Sequence, residues 1–252
     1  GKFPSGDNWK LVAAYNDFRR KKNTFYIDLT NLESQITNME SDQDTSRFGY
    51  WMSRGSVVKN LKSSKSTIEF GYDVNFEKTR GQRIIDNIQS ISDFAFFSTS
   101  EINLNENLVF RPGLRASYNS DYPSPLTPSL NFKYSDFNHT IRGSYADGFR
   151  APSLKELYFE FIDINHNIIG NKNLLAERSH NFNFSHVWKI QKSIGTISID
   201  NSLFYNHIRN MITLAQTSGS MAYSYFNLGL FKSKGLRGDF SLKTEKFNTL
   251  VG

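Results

Sequence analysis

The sequence predicts an all-β protein, an antiparallel up-and-down sheet of the transmembrane β-barrel type. Three observations carry this. Apolar and polar residues alternate with period two along most of the chain, the pattern of strands with one apolar and one polar face. Short polar links alternate with longer ones, which is how an outer-membrane barrel places turns at one end and loops at the other. Aromatic residues make up 15% of the 252 residues and gather toward presumed strand ends.

Taken in order, alternation covers 9–17 and 24–30, with the short link "RKKN" at 20–23 between them. A longer link follows at 31–46, and strand boundaries between 31 and 61 are left open. The next strand, "TIEFGYDVNFE", sets Ile68, Phe70, Tyr72, Val74 and Phe76 against Thr67, Glu69, Gly71, Asp73, Asn75 and Glu77. A long link is expected at 78–93, then strands at 94–104 and 107–119 around the turn "LNEN". Here Phe110 and Leu114 alternate with Arg111 and Arg115. After a link at 119–126, "SLNFKYS" sets Phe132 against Lys133, and 138–145 alternates again. "NFNFSHVWKI" gives Phe182, Phe184, Trp188 and Ile190, with His186 breaking its apolar face. Alternation returns at 196–205 and 235–243, with long links at 148–178 and 209–222. Aromatic pairs at Tyr118 and Tyr122, Tyr145 and Phe149, Phe204 and Tyr205, and Tyr223 and Tyr225 read as girdles at headgroup level.

A soluble β-sandwich would alternate too. Strands of about ten residues exceed the 5–6 usual in a sandwich and suit a tilted membrane strand of ~9–11. No apolar run approaches the ~20 residues of a spanning helix, and no leader pattern opens the chain. The chain has no cysteine, which excludes disulfides, thiol catalysis and zinc-thiolate sites. Its net charge of +6 is spread out and comes with no basic helix or recognition motif, so no nucleic-acid partner is expected. No nucleophile elbow, phosphate-cradling loop or metal-ligand spacing appears, so neither a catalytic residue nor a metal site is expected.

One stretch departs from the alternation. "GFRAPSLKELY" (148–158) and then "GNKNLLAERSHNFNFS" (170–185) interrupt it with a rigid, charged, aromatic insert. Pro152 fixes φ and ends the ladder. Arg150 can pair with Glu156, with Glu177 or with an acidic ligand. Leu157, Tyr158, Phe159 and Phe161 give the link an apolar cluster with which to pack.

These two segments resemble the barrel of TonB-dependent outer-membrane receptors. So do "DFAFFSTSEINLNENLVFRPGLR" (93–115) and "YFNLGLFKSKGLRGDF" (225–240), in the family's order and spacing. The resemblance implies a 22-stranded barrel with a plugged lumen, of which this chain would supply about eleven strands over residues 1–252. No plug domain and no TonB box are visible and the chain stops at "TLVG", so it is expected to be an internal barrel segment.

The family motif maps onto Phe149, Arg150, Ala151, Pro152, Glu156, Leu157 and Tyr158, then Gly170, Asn171, Asn173, Leu174 and Glu177. The resemblance implies a bacterial outer-membrane location among lipid and a small-molecule ligand. It also implies a TonB complex acting through a plug outside this chain. The function implied is uptake of haem, a ferric siderophore or cobalamin. A passive pore or adhesin barrel is the alternative, and an enzyme is not expected.

Haem receptors of the family carry a histidine between the two motif halves, and His166 lies there. The second half reads Asn171-Lys172-Asn173-Leu174, with Lys where the haem pattern has Pro, so the ligand stays open. His166, Arg150, Tyr158, Phe159 and Phe161 are the candidate ligand contacts. No cofactor is expected, and haem would be cargo.

Overall fold

A computed structural model describes residues 1–3, 6–38, 42–61, 65–162 and 167–252. In chain order the elements are β1 (Asn8–Lys22), β2 (Phe25–Ile27), β3 (Ser34–Ile36), β4 (Asp44–Leu61), β5 (Ser66–Arg80), β6 (Ile88–Asn103), β7 (Leu108–Asn119) and β8 (Thr127–Ser135). There follow β9 (His139–Arg150), α1 (Leu154–Tyr158), β10 (Glu160–Ile162), β11 (Asn167–Ile169), β12 (Glu177–Lys192), β13 (Gly195–Gln216), β14 (Tyr223–Lys243) and β15 (Asn248–Val251). One sheet runs β1-β4-β5-β6-β7-β8-β9-β12-β13-β14, each strand antiparallel to the next, with β15 also on β14. The short β2–β3 hairpin stands apart.

Paired residues in antiparallel strands share a face, so the register assigns every side chain. Asp73 pairs with Arg54 and Ala95, Arg111 with Asn131, Lys133 with Arg142, and Ser144 with Asn183. That is the polar face. Tyr72 pairs with Phe96, Phe110 with Phe132, and Phe182 with both Tyr145 and Tyr205 on the other. Phe70, Leu114 and Trp188 also fall there, as the alternation predicts.

The apolar face is exposed: Phe96 and Leu236 each keep 74% of their surface open. So broad an uncovered patch needs an apolar surrounding. The polar face is tied by ion pairs instead. Asp73, 4% exposed, accepts from Arg54 at 2.5 Å and from Arg115 at 3.2 Å. The small Ala95 between them lets Arg115 reach across a strand.

Turns at one end share a chemistry. Asn105 Oδ1 accepts from the N–H groups of Asn107 and Leu108, and Asp136 Oδ1 from those of Asn138 and His139. Such side chains supply the turn's missing acceptor. The His139 and Asn138 donors hold the Asp136 carboxyl below its usual range.

The structure corrects several link boundaries. The link expected at 78–93 shrinks to 81–87, because β5 runs to Arg80 and β6 starts at Ile88. The link at 209–222 shrinks to 217–222, since β13 continues to Gln216. Phe204 and Tyr205 therefore lie within the strand and not at its end, and of the two only Tyr205 stands on the apolar face, opposite Phe182. Alternation at 24–30 belongs to the β2–β3 hairpin, off the main sheet.

Among the described residues β1 and β15 each have a single ladder partner. In hydrocarbon every unpaired backbone polar group costs several kcal/mol, roughly as for any buried amide. Residues 1–252 expressed alone in detergent are therefore expected to oligomerise or aggregate. A monodisperse monomer by light scattering would contradict this.

Candidate functional site

The core lies at the long-link end of the polar face, where residues 151–162 and 167–176 fold back over the sheet. β9 ends at Arg150, and Pro152 is fully buried beyond it. Ser153 caps α1 with extended backbone (φ −77°, ψ 159°). Its Oγ accepts from the Glu156 N–H at 3.3 Å, and its own N–H donates to Glu156 Oε2 at 2.8 Å. This reciprocal box satisfies two helix-end donors.

Arg150 pairs with both available carboxylates. Nη1 donates to Glu156 at 3.0 and 3.2 Å, and Nη2 to Glu177 Oε1 at 2.6 Å. Glu177 Oε1 also accepts the Ile212 N–H at 2.7 Å, which locks the end of β12 to β13. One guanidinium thus ties the first half of the insert to the second.

The second half docks on the first. Gly170 donates to the Phe159 carbonyl at 3.0 Å, and a Cβ here would meet the Leu157 carbonyl atoms at 2.7 Å. Only glycine allows that approach. The Asn171 N–H donates to Glu156 O, its Nδ2 to Tyr225 O, and its Oδ1 accepts from Asn173 N–H. Leu157, Leu174 and Ile212 form a buried cluster against Tyr122, Tyr158 and Tyr225. Tyr122 donates its hydroxyl to Leu174 O at 3.0 Å, and burial pushes that phenol's pKa up. Lys172, the departure from the haem pattern, pairs with Asp86 at 2.8 Å.

The insert also spans the sheet. β10 and β11 form a hairpin in which Phe161 faces Ile168. Ile168 pairs in parallel with Tyr223 of β14. Phe161 lies under Arg20 of β1, 5.1 Å from guanidinium to ring centre, and beside Phe159, which meets Phe48 of β4. In a flat sheet the nine intervals from β1 to β14 would hold those strands apart by roughly 40 Å at about 4.8 Å each. A two-stranded hairpin bridges them, so the sheet curls around its polar face and the insert crosses the mouth. Ile84 and Arg83 secure the crossing: Ile84 bridges to Phe159, and Arg83 Nη2 donates to Ile162 O at 3.0 Å. Beneath α1 lies a cavity of about 280 Å³ lined by Phe48, Tyr50, Glu77, Leu154 and Phe159, among others.

Of the candidate ligand contacts, Phe159 and Phe161 stack at this mouth, Tyr158 packs on the Leu157–Leu174–Ile212 cluster, and Arg150 is held between two carboxylates. His166 lies outside the described residues. Tyr122 and Tyr225, which the sequence placed in girdles, pack instead against the insert's buried cluster, and the residues it did not single out are Arg20, Phe48 and Arg83. Each is joined to the insert by the curl, with no local signal. Asn227 is the exception: it sits in the "YFN" piece and its side chain bonds both the N–H and the carbonyl of Leu175.

The family model for the TonB dependent receptor-like β-barrel matches residues 1–251. Among solved structures, the chain is similar to the siderophore receptor PirA from Pseudomonas aeruginosa. That match has a TM-score of 0.71 at 19% identity, over 92% of this chain and 43% of that one. PirA from Acinetobacter baumannii gives 0.71 at 16% identity, over 95% and 40%. The hemophore receptor HasR of Serratia marcescens, solved with its hemophore HasA and heme, gives 0.63 at 11% identity, over 100% and 53%. The chain thus spans about two fifths to half the length of these receptors. Among curated protein sequences none matches significantly.

Proposed function

The chain belongs to the TonB-dependent receptor β-barrel family, and on that premise we propose that it forms part of the wall and mouth of an outer-membrane uptake receptor. The cargo is a scarce metal complex, haem or a ferric siderophore, or cobalamin, and TonB supplies the energy through a plug outside these residues. The observation that carries this reading is the insert, which folds inward across the curled polar face instead of outward. It meets a ligand before the lumen does. Arg150, Pro152, Glu156, Leu157, Gly170, Asn171, Asn173, Leu174 and Glu177 hold its shape. Tyr158 and Phe161, each partly exposed, supply aromatic surface that suits a planar or catechol-like cargo, and Phe159, 8% exposed, stacks against Phe161 as support. With both carboxylates on its guanidinium, Arg150 acts as an anchor.

Deletion of 160–170 in the whole receptor is expected to abolish ligand capture while the barrel still assembles. Heat-modifiable migration on gels reads assembly, and titration of haem, a ferric siderophore and cobalamin reads capture. Retained affinity for all three, or for the one that wild type binds, would sink the reading. The same titrations on His166→Ala separate the cargoes. A loss of at least tenfold, about 1.4 kcal/mol, for haem alone assigns His166 to a haem site on sequence grounds. Unchanged haem binding removes it.

A further inference from the structure

The apolar face changes character abruptly at its long-link end. Tyr15, Trp51 and Phe76 form one cross-strand aromatic row, and Tyr145, Phe182 and Tyr205 form another. Four residues further along the same face, β1, β4, β5, β12 and β13 each carry arginine, while β9 carries Phe149. Arg19, Arg47 and Arg80 stand directly opposite one another on β1, β4 and β5. Arg178 stands opposite Arg209 on β12 and β13, and beside them His180, His207 and Lys232 form a second row. All five arginines and Lys232 are exposed.

Like charges directly opposite in a sheet are destabilising. The carboxylates on this face at this end, among the described strand residues, are Asp17 and Asp147. Asp17 takes Arg47 at 2.7 Å and Asp147 takes His180 at 2.6 Å. The excess is positive and points away from the lumen. At the short-turn end the same face carries Lys59 and Lys192, on strands that are not neighbours.

Height decides what such a row meets. Four residues rise about 13 Å along a strand, or roughly 10 Å after a tilt near 40°. Aromatic girdles sit at the membrane interface, and the headgroup layer is about 5–8 Å deep on each side. The guanidinium rows thus stand at the outer edge of the headgroups. Paired arginines are suited to phosphate, which they grip with forked donors.

We propose that this outward face binds phosphate-bearing anionic lipid headgroups of the leaflet in which the long links stand, with Arg19–Arg47–Arg80 and Arg178–Arg209 as two docking rows. The inference rests on the membrane-barrel reading above. It adds a lipid preference confined to one leaflet and one face.

The test uses the whole receptor in detergent, titrated with dioctanoyl phosphatidic acid, dioctanoyl phosphatidylcholine and inorganic phosphate. Wild type is expected to bind phosphatidic acid at least tenfold more tightly than phosphatidylcholine, with affinity falling as salt rises. Arg19→Gln combined with Arg80→Gln should remove at least fivefold of that preference, as should Arg178→Gln combined with Arg209→Gln. Lys133→Gln, on the polar face, should leave it unchanged. Equal affinity for the two lipids, unaltered preference in both double variants, or displacement by inorganic phosphate at matched concentration would each overturn the proposal. Insertion of the same receptor into phosphatidylcholine vesicles keeps the two readings apart. A receptor that inserts but shows no preference defeats only the lipid site, and one that fails to insert defeats the barrel reading as well.

Discussion

Leu157→Ala in the whole receptor is expected to unfold the insert while leaving the barrel standing. Leu157 is 1% exposed and packs in one small cluster with Leu174 and Ile212. Truncating a buried leucine costs about 2–5 kcal/mol, depending on how far the site can collapse. Here collapse is blocked. The Leu157 carbonyl sits against Gly170, and the chain on either side is pinned by the Ser153 cap and by the bond from Asn171 to Glu156 O. Leu154 and Phe159, further buried apolar side chains of the insert, are positioned by the same short helix, so the loss is local and a large share of the insert's stability. Hydrogen exchange should show amides of 154–176 losing protection while β5, β6 and β13 keep theirs, and ligand capture should fall with them. Gly170→Val should act alike by a different cause, since its side chain would enter the Leu157 backbone. Unaltered protection in Leu157→Ala would mean that the cluster does not hold the insert.

How much of this was legible in the chain depends on what kind of pattern carried it. Faces were legible wherever a strand alternates strongly: Phe70 and Tyr72 against Glu69 and Asp73 suffices, because a slip of one residue would reverse both sets. β4 was not legible. Its apolar-face positions include Gly49, Ser53 and Gly55, and the missing bulk at Gly55 is supplied by the ring of Tyr72 on the next strand. Strand ends were misplaced for a related reason. Beyond the aromatic rows the two faces lose their contrast: Lys78–Arg80 is polar on both, and Ile208–Gln216 is mixed on both, with Met211 and Ala215 on one face and Ile212 and Leu214 on the other, so neither carries a period-two signal although the ladder continues. In the insert, the choice between Glu156 and Glu177 for Arg150 was posed by the sequence and answered by geometry: both. Arg20 and Arg83 lie more than seventy residues from Phe161 and Ile162, the residues they meet. Only the curl of the sheet brings them there.

The second large effect is expected where the sheet meets lipid. Phe184 and Asn183 are neighbours in β12 that point to opposite faces. Phe184 pairs with Gly143 and Leu203 on the apolar face, and Asn183 with Ser144 and Phe204 on the polar one. Phe184 lies two residues inward from Phe182 of the aromatic row, roughly 5 Å below the interface after strand tilt. A lysine at the bilayer midplane of a barrel's outer face costs about 2–4 kcal/mol, whereas a lumen position is solvated and costs little. Phe184→Lys is therefore expected to destabilise the whole receptor in phosphatidylcholine vesicles by about 1–3 kcal/mol, between the interfacial and the midplane cost. Asn183→Lys, one residue away, should stay within about 1 kcal/mol of wild type by the same account. Reversible urea unfolding from vesicles, followed by tryptophan fluorescence, measures both. Equal losses would place the two side chains in the same surroundings, and the apolar face would then not be the lipid face. A larger loss at Asn183 would invert the sheet, turning the basic rows and the insert to the opposite sides of the wall.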